Sequence, residues 1–236
     1  MPSEKLHHFG VLIPSTNTTV ETEFTRLLPA EWQPHYARVK SASIDGSPFS
    51  PPLDADVEYQ SKLLGTAKVE IVMLIQTSAS LFSEDYDDKA MRLMQGAGAP
   101  GFTSAMAIGE AMRALGTMRV ALVSPYSEPV NASARRYYEG KYGLSVVALE
   151  GFAATDSYAI GQLGPENARE AFARIDRPEI EAFVVPGGNF PTMGHIGEWE
   201  REFNKPVVTT NQAAFWAVLQ RLGGGERCPG LGRLLA

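Results

Sequence analysis

The sequence predicts an α/β protein built from two similar units, each with a parallel sheet, whose strand-end loops face one another across a cleft. Three observations carry this. An apolar run, Val72-Met73-Leu74-Ile75, ends in Gln76-Thr77-Ser78-Ala79-Ser80, the pattern of a buried parallel strand leading into a hydroxyl-bearing loop. A second run, Phe183-Val184-Val185, ends in Pro186-Gly187-Gly188-Asn189. The plan also repeats: Asn17 and Tyr126 each follow the first strand of their half, 109 residues apart, and Gln76 and Gly187 follow a later strand, 111 apart. There is little residue identity between the halves, so the repeat is one of pattern. Ligands of open α/β sheets bind at the carboxyl ends of the strands, which makes these loops the candidate site.

Residues 9–13 read as the first strand, ending at Pro14-Ser15-Thr16-Asn17. Thr18 or Thr19 can cap the next helix, with Glu21 and Glu23 in its first turns and Val20, Phe24, Leu27 and Leu28 on one face up to Pro29. Residues 35–42 alternate as a second strand. Ser47-Pro48-Phe49-Ser50-Pro51-Pro52 is too proline-rich for a regular element and reads as a loop or flap. A helix is expected over 56–68 before the strand at 72–75. Residues 83–89 are acidic and read as a solvated helix start. Thr103-Ser104 can cap a helix carrying Met106, Ile108, Met112 and Leu115, stopped by Gly116. The plan then restarts: strand 119–123, helix 129–142, strand 144–149, helix 165–175, strand 182–185, helix 196–203, strand 206–208 and a closing helix over 212–222. That helix is expected to return to the first unit, giving units of 1–116 with 210–236, and 117–209.

Composition narrows the class. With 236 residues and 44% hydrophobic content the chain can bury a full core. A net charge of −6 argues against a general nucleic-acid footprint, which needs clustered Lys and Arg. No segment approaches the roughly 18 apolar residues of a membrane span, and Met1-Pro2-Ser3-Glu4-Lys5 lacks a signal-peptide core. The single cysteine, Cys228, permits no intramolecular disulfide. A cytoplasmic location is the expectation, and a homo-oligomer is compatible with it. No histidine–carboxylate spacing suggests a metal, and neither a dinucleotide nor a Walker-type glycine loop is present. His195 reads as a surface residue at a helix start, and His7-His8 as exposed at the strand entrance.

Four pieces carry a resemblance: Gly10-Val11-Leu12-Ile13-Pro14-Ser15-Thr16-Asn17-Thr18-Thr19-Val20-Glu21, Thr77-Ser78-Ala79-Ser80, Ser124-Pro125-Tyr126 and Lys205-Pro206-Val207-Val208-Thr209-Thr210-Asn211-Gln212. With the tail Gly230-Leu231-Gly232-Arg233-Leu234-Leu235 they span nearly the whole chain in order. It resembles the Asp/Glu racemase superfamily, in particular its maleate cis-trans isomerase and arylmalonate decarboxylase branch. The resemblance implies two pseudo-symmetric flavodoxin-like units enclosing a small carboxylate, with no cofactor. It also implies one cysteine on each side of the substrate in the isomerases and racemases. Those cysteines would fall at Gln76 and Gly187, and Cys228 matches neither.

That departure bears on mechanism. A thiolate can add to a double bond or remove a proton because its pKa can be brought near neutrality. A Gln amide does neither, and Gly187 has no side chain. Two-cysteine racemisation, thioether-based isomerisation and protonation by the single decarboxylase cysteine are all disfavoured. What survives is anion-holding apparatus: the resemblance places Asn17, Thr77, Ser78, Tyr126 and the Gly188 N–H where the family binds carboxylate and stabilises enolate-like charge. The expected catalytic residues are therefore Tyr126, Gln76 and Ser78. Ser15, Asn17, Thr77, Gly187, Gly188 and Asn189 are expected to bind the substrate, and no metal is expected. Asn17 and Asn189 equally suit plain turn stabilisation, Tyr126 a half-buried tyrosine, and Gly187-Gly188 a purely conformational role. At Asp156-Ser157 family members often carry Asp-Asn, so the resemblance implies a polar contact altered or lost there. Three functions remain open: a cysteine-independent enzyme favouring decarboxylation or hydrolysis, an isomerase using another residue, and a catalytically silent carboxylate binder.

Overall fold

A computed structural model describes residues 5–41, 49–225 and 227–236. Two four-stranded parallel sheets carry the fold. The first holds β1 (His7–Pro14), β2 (Trp32–Val39), β3 (Ile71–Leu74) and β4 (Gly101–Thr103), in the order β2-β1-β3-β4. The second holds β5 (Arg119–Ser124), β6 (Ser145–Gly151), β7 (Ala182–Val185) and β8 (Val207–Thr209), in the order β6-β5-β7-β8. The orders are the same, so in each sheet the strand order reverses beside its first strand and opens a crevice at the strand ends there. The α/β architecture and the pattern repeat read from the sequence are both present.

The helices are α1 (Val20–Leu27), α2 (Asp54–Thr66), α3 (Thr77–Ser80), α4 (Tyr86–Met94), α5 (Ser104–Ala114), α6 (Glu128–Tyr142), α7 (Ser157–Ile160), α8 (Pro165–Ile175), α9 (Ile196–Phe203) and α10 (Thr210–Leu222). Strand alternation sends Val11, Ile13 and Met73 to one face of the first sheet and Leu12, Val72 and Leu74 to the other. The first set joins a core that continues through Leu122 and Val184 of the second sheet. α10 packs along α5, and its Phe215 meets the rings of Phe9, Phe24 and Trp32 at centroid separations of 5.9–6.4 Å.

Several local expectations are corrected. β2 starts at Trp32, ahead of Pro34, because it is an edge strand, where a missing N–H costs no ladder bond. The last residue expected in that strand, Ala42, lies outside the described residues, as do Ser47 and Pro48 of the flap. β4 is a three-residue strand hidden in the approach to α5; β8 is its counterpart before α10. The helix start at 83–89 is not wholly solvated. Asp87 is buried, accepting from Thr103 Oγ1 at 2.7 Å and from Tyr137 Oη and Lys141 Nζ at 2.5 Å. Burial pushes its carboxyl up, but Lys141 and these hydroxyls outweigh it and hold it below the usual range. His7 and His8 are half-buried: His7 stacks on Trp32 at 4.4 Å, and His8 Nδ1 lies 2.9 Å from His35 Nε2.

Candidate active site

The site forms where the ends of β1, β3, β5 and β7 converge. β1 ends in a turn closed by the Asn17 N–H donating to Pro14 O (2.9 Å). The buried Asn17 Oδ1 accepts from the Thr19 and Val20 amides, both at 3.0 Å. It thus does the capping expected of Thr18 or Thr19. Its Nδ2 has no partner among the described residues, and the side chain lines a cavity. Turn former and available donor are the same residue.

After β3, Gln76 turns its amide to the flap, Nε2 donating to Ser50 O at 2.8 Å. Thr77 Oγ1 lies 3.1 Å from Ser104 Oγ and 3.2 Å from Thr210 Oγ1. Thr210 Oγ1 in turn accepts from the Gly187 N–H at 2.8 Å. These hydroxyls tie the β3 loop of one half to the β7 loop of the other.

Tyr126, after β5, is buried, with its ring edge-on to Phe49 at 5.3 Å and 70°. Burial pushes its hydroxyl far above the ordinary tyrosine value; hydrogen bonds from Thr77 and from the amide and hydroxyl of Ser78 pull only partly the other way. It is a neutral O–H donor at neutral pH.

The β7 loop needs its glycines. Gly187 sits at φ +111°, and a Cβ there would meet Pro125 Cγ at 2.8 Å. A Cβ on Gly188 would stand 2.3 Å from Ile75 Cγ2. The Gly188 carbonyl accepts from Asn211 Nδ2 (3.1 Å), while its N–H has no partner among the described residues.

The cavity these loops enclose measures about 30 Å³. A single water needs roughly 10–15 Å³ on this measure, so the enclosed room is that of about two or three waters, enough for one polar group of a small ligand. Asn17, Gln76, Thr77, Ser78, Tyr126, Gly187, Gly188 and Asn189 all line it. Ser15 does not: it is exposed in the turn, with its N–H on Val39 O, and Thr16 takes the place at the rim. Asn189 lines the cavity but is engaged by protein. Its Oδ1 accepts from the Thr18 amide (2.8 Å) and hydroxyl (3.3 Å), and its Nδ2 donates to Ser157 O (2.7 Å). Phe49, Ile160 and Ser157 complete the wall; the first two bear no chemistry that the sequence could flag.

The sequence reading missed the residues that clamp the β7 loop. Thr210 and Asn211 stand in a motif singled out for its resemblance, yet nothing in that motif shows what they touch. Behind them lies a buried carboxylate, Glu23 of α1. It accepts from Asn211 Nδ2 at 2.6 Å and from the Met193 amide at 2.8 Å. Burial raises its pKa to about 7, against lowering by Asn211 and the Met193 and Thr192 amides.

A larger hollow of about 350 Å³ lies between α1 and residues 191–195, reaching His195 and Arg26. It lacks the converging strand-end donors, so the smaller cavity is the candidate site. His195 is exposed at the start of α9, beside Trp199. Cys228 is buried in the tail and outside the cavity wall. Among the described residues there is no cluster of His, Cys, Asp and Glu able to hold a metal ion, and no helix is long and apolar enough to cross a membrane.

Known proteins resemble this chain in sequence and in fold. A maleate isomerase from Nocardia farcinica is 27% identical over 242 residues, covering 98% of this chain and 96% of its own. An arylmalonate decarboxylase from Bordetella bronchiseptica is 26% identical over 236 residues, covering 95% of each. In structure, a maleate isomerase variant from Pseudomonas putida with maleate superposes with a TM-score of 0.87, at 26% identity and 98% coverage of both chains. A Nocardia farcinica maleate cis-trans isomerase variant with a covalently bound succinylcysteine intermediate gives 0.85, at 25% identity and 98% coverage of both. The family model described as arylmalonate decarboxylase matches residues 9–235. With that match running through every strand-end loop of the site, the chain belongs to the arylmalonate decarboxylase family, within the Asp/Glu racemase superfamily.

Proposed function

We propose that the protein is an enzyme acting on a small carboxylate or carbonyl compound by a cysteine-independent route, decarboxylation or hydrolysis. The observation that carries this reading is the set of neutral donors around one cavity: the Tyr126 hydroxyl, itself supported by the Ser78 amide and hydroxyl, and the Gly188 N–H, unpartnered among the described residues. Donors fixed in place before reaction stabilise charge as it develops on an oxygen, and each can contribute roughly 3–4 kcal/mol. In decarboxylation, the C–C bond breaks, CO₂ departs, and the electron pair moves onto the retained carbonyl or carboxylate as an enolate. Water then returns a proton to carbon. In hydrolysis the same donors hold a tetrahedral oxyanion, with Gln76 placing the water. Decarboxylation makes the smaller demand, because it needs no base.

A silent carboxylate binder is the second reading. It is favoured by the cavity wall, where among the described residues no side chain titrates near neutrality. Incubation with maleate, malonates, lactams and cyclic imides, followed by proton NMR, separates the two. Turnover of any of them supports the enzyme. Tight binding without turnover across the whole set leaves the binder.

A further inference from the structure

We infer that Gln76 makes the cavity selective for a ligand with an N–H beside its carbonyl oxygen: a small amide, lactam or cyclic imide. The inference rests on the reading of this cavity as the substrate site and names the chemistry it prefers.

Its basis is the orientation of one amide. Gln76 Nε2 lies 2.8 Å from the carbonyl oxygen of Ser50. A carbonyl only accepts, so the Gln76 amino group must face it; the reverse would set two oxygens at that separation. Ser50 is fully buried, which keeps bulk water from taking over the contact. Oε1 is thereby left as the end that serves the cavity. It receives no hydrogen bond from the described residues and is not among the atoms sealed from solvent without a partner.

Beside this acceptor stand donors: the Gly188 N–H, the Tyr126 hydroxyl and Asn17 Nδ2. Among the described residues no charged side chain lines the wall. An acceptor flanked by donors matches the edge of an amide, whose oxygen accepts while its N–H donates. A second carboxylate would press anionic oxygen against Oε1 with no cation to offset it. An ester or lactone would set acceptor against acceptor and leave Oε1 unpaired. Leaving a buried acceptor unpaired is enough to cost roughly tenfold in affinity.

The test compares 2-pyrrolidinone with γ-butyrolactone, which share a ring and differ by N–H against O. Each is titrated into the full-length protein by saturation-transfer NMR. The lactam is expected to bind about tenfold tighter or more. The preference should vanish in Gln76→Met, with circular dichroism confirming that the variant is folded. Equal affinities, a lactone preference, no binding of either at millimolar concentration, or an unchanged preference in folded Gln76→Met would each overturn the inference. The wild-type ratio decides the matter even if the variant does not fold. A lactam preference without turnover of any compound sinks the enzyme and keeps this inference. Turnover of carboxylates or lactones without a lactam preference does the reverse.

Discussion

Glu23→Gln removes a buried carboxyl whose pKa of about 7 stands above its ordinary 4.5. The folded protein therefore holds that proton more tightly than the unfolded chain does. Stability is full below about pH 4.5 and falls as pH rises to about 7, because the native state then carries a charge in a site that penalises it. At roughly 1.4 kcal/mol per pH unit, the gap corresponds to about 3 kcal/mol across the window. The glutamine amide of the variant has nothing to titrate. The stability of the wild type minus that of Glu23→Gln, from urea unfolding between pH 4.5 and 8, should decline by about that amount and then level off. The subtraction cancels His35, whose depressed pKa, caused by burial and by His8, is common to both proteins. It likewise cancels Asp87, which acts at lower pH. There is also a local effect. Glu23 accepts two donors, the Met193 amide and Asn211 Nδ2, and a Gln amide can satisfy only one with its oxygen. Asn211 must then turn over, withdrawing Nδ2 from Gly188 O. A pH-independent difference between the two proteins would refute the argument.

Four other perturbations probe the site. Tyr126→Phe should lower kcat by one to three decades, at roughly 1.4 kcal/mol per decade, with little change in KM; an effect on KM alone would remove the tyrosine from the charge-stabilising set. Asn17→Ala should weaken ligand binding, since a ground-state clamp acts on substrate and transition state alike. It should also cost about 1 kcal/mol of stability through the lost α1 cap, measurable by urea unfolding. Gly187→Cys should destabilise by roughly 1–3 kcal/mol, because φ +111° and Pro125 both oppose a side chain; a variant as stable as wild type would show that the loop reshapes easily. Cys228→Ser, or thiol alkylation with the fold intact, should leave turnover unchanged; activity lost in step with alkylation would end the cysteine-independent reading.

Much of this is legible in the sequence because parallel strands announce themselves. Val72-Met73-Leu74-Ile75 and Phe183-Val184-Val185 have the continuous apolar character of strands buried on both faces, and hydroxyl, amide and glycine residues follow them. That places Gln76 and Gly188 on one cavity, to which the loop after the first strand of the second half adds Tyr126. What stays hidden depends on partners far away in the chain. Asn189 has the composition of a ligand-binding turn, but its amide is spent on Thr18 and Ser157. Glu23 reads as an ordinary first-turn acid, placed to favour a helix dipole. Only the fold brings Met193 and Asn211 to it. Pro34 carries a breaker signal that is correct for a central strand, and edge position cannot be read locally. Ser15 and Thr16 differ by one step around a turn, which composition does not resolve.

The hydroxyls that join the two loops are fixed at one end only. A backbone N–H can only donate, so Gly187 commits one lone pair of Thr210 Oγ1. Thr210 Oγ1 keeps a second lone pair and its own hydrogen for Thr77 Oγ1 at 3.2 Å, and Thr77 Oγ1 also faces Ser104 Oγ at 3.1 Å. Either partner can donate in each of these pairs, so the row of hydroxyls can reverse its sense without moving a heavy atom. A change in the β7 loop that withdraws the Gly187 N–H would therefore reach the β3 loop, and Ser104 beyond it, through hydrogens alone.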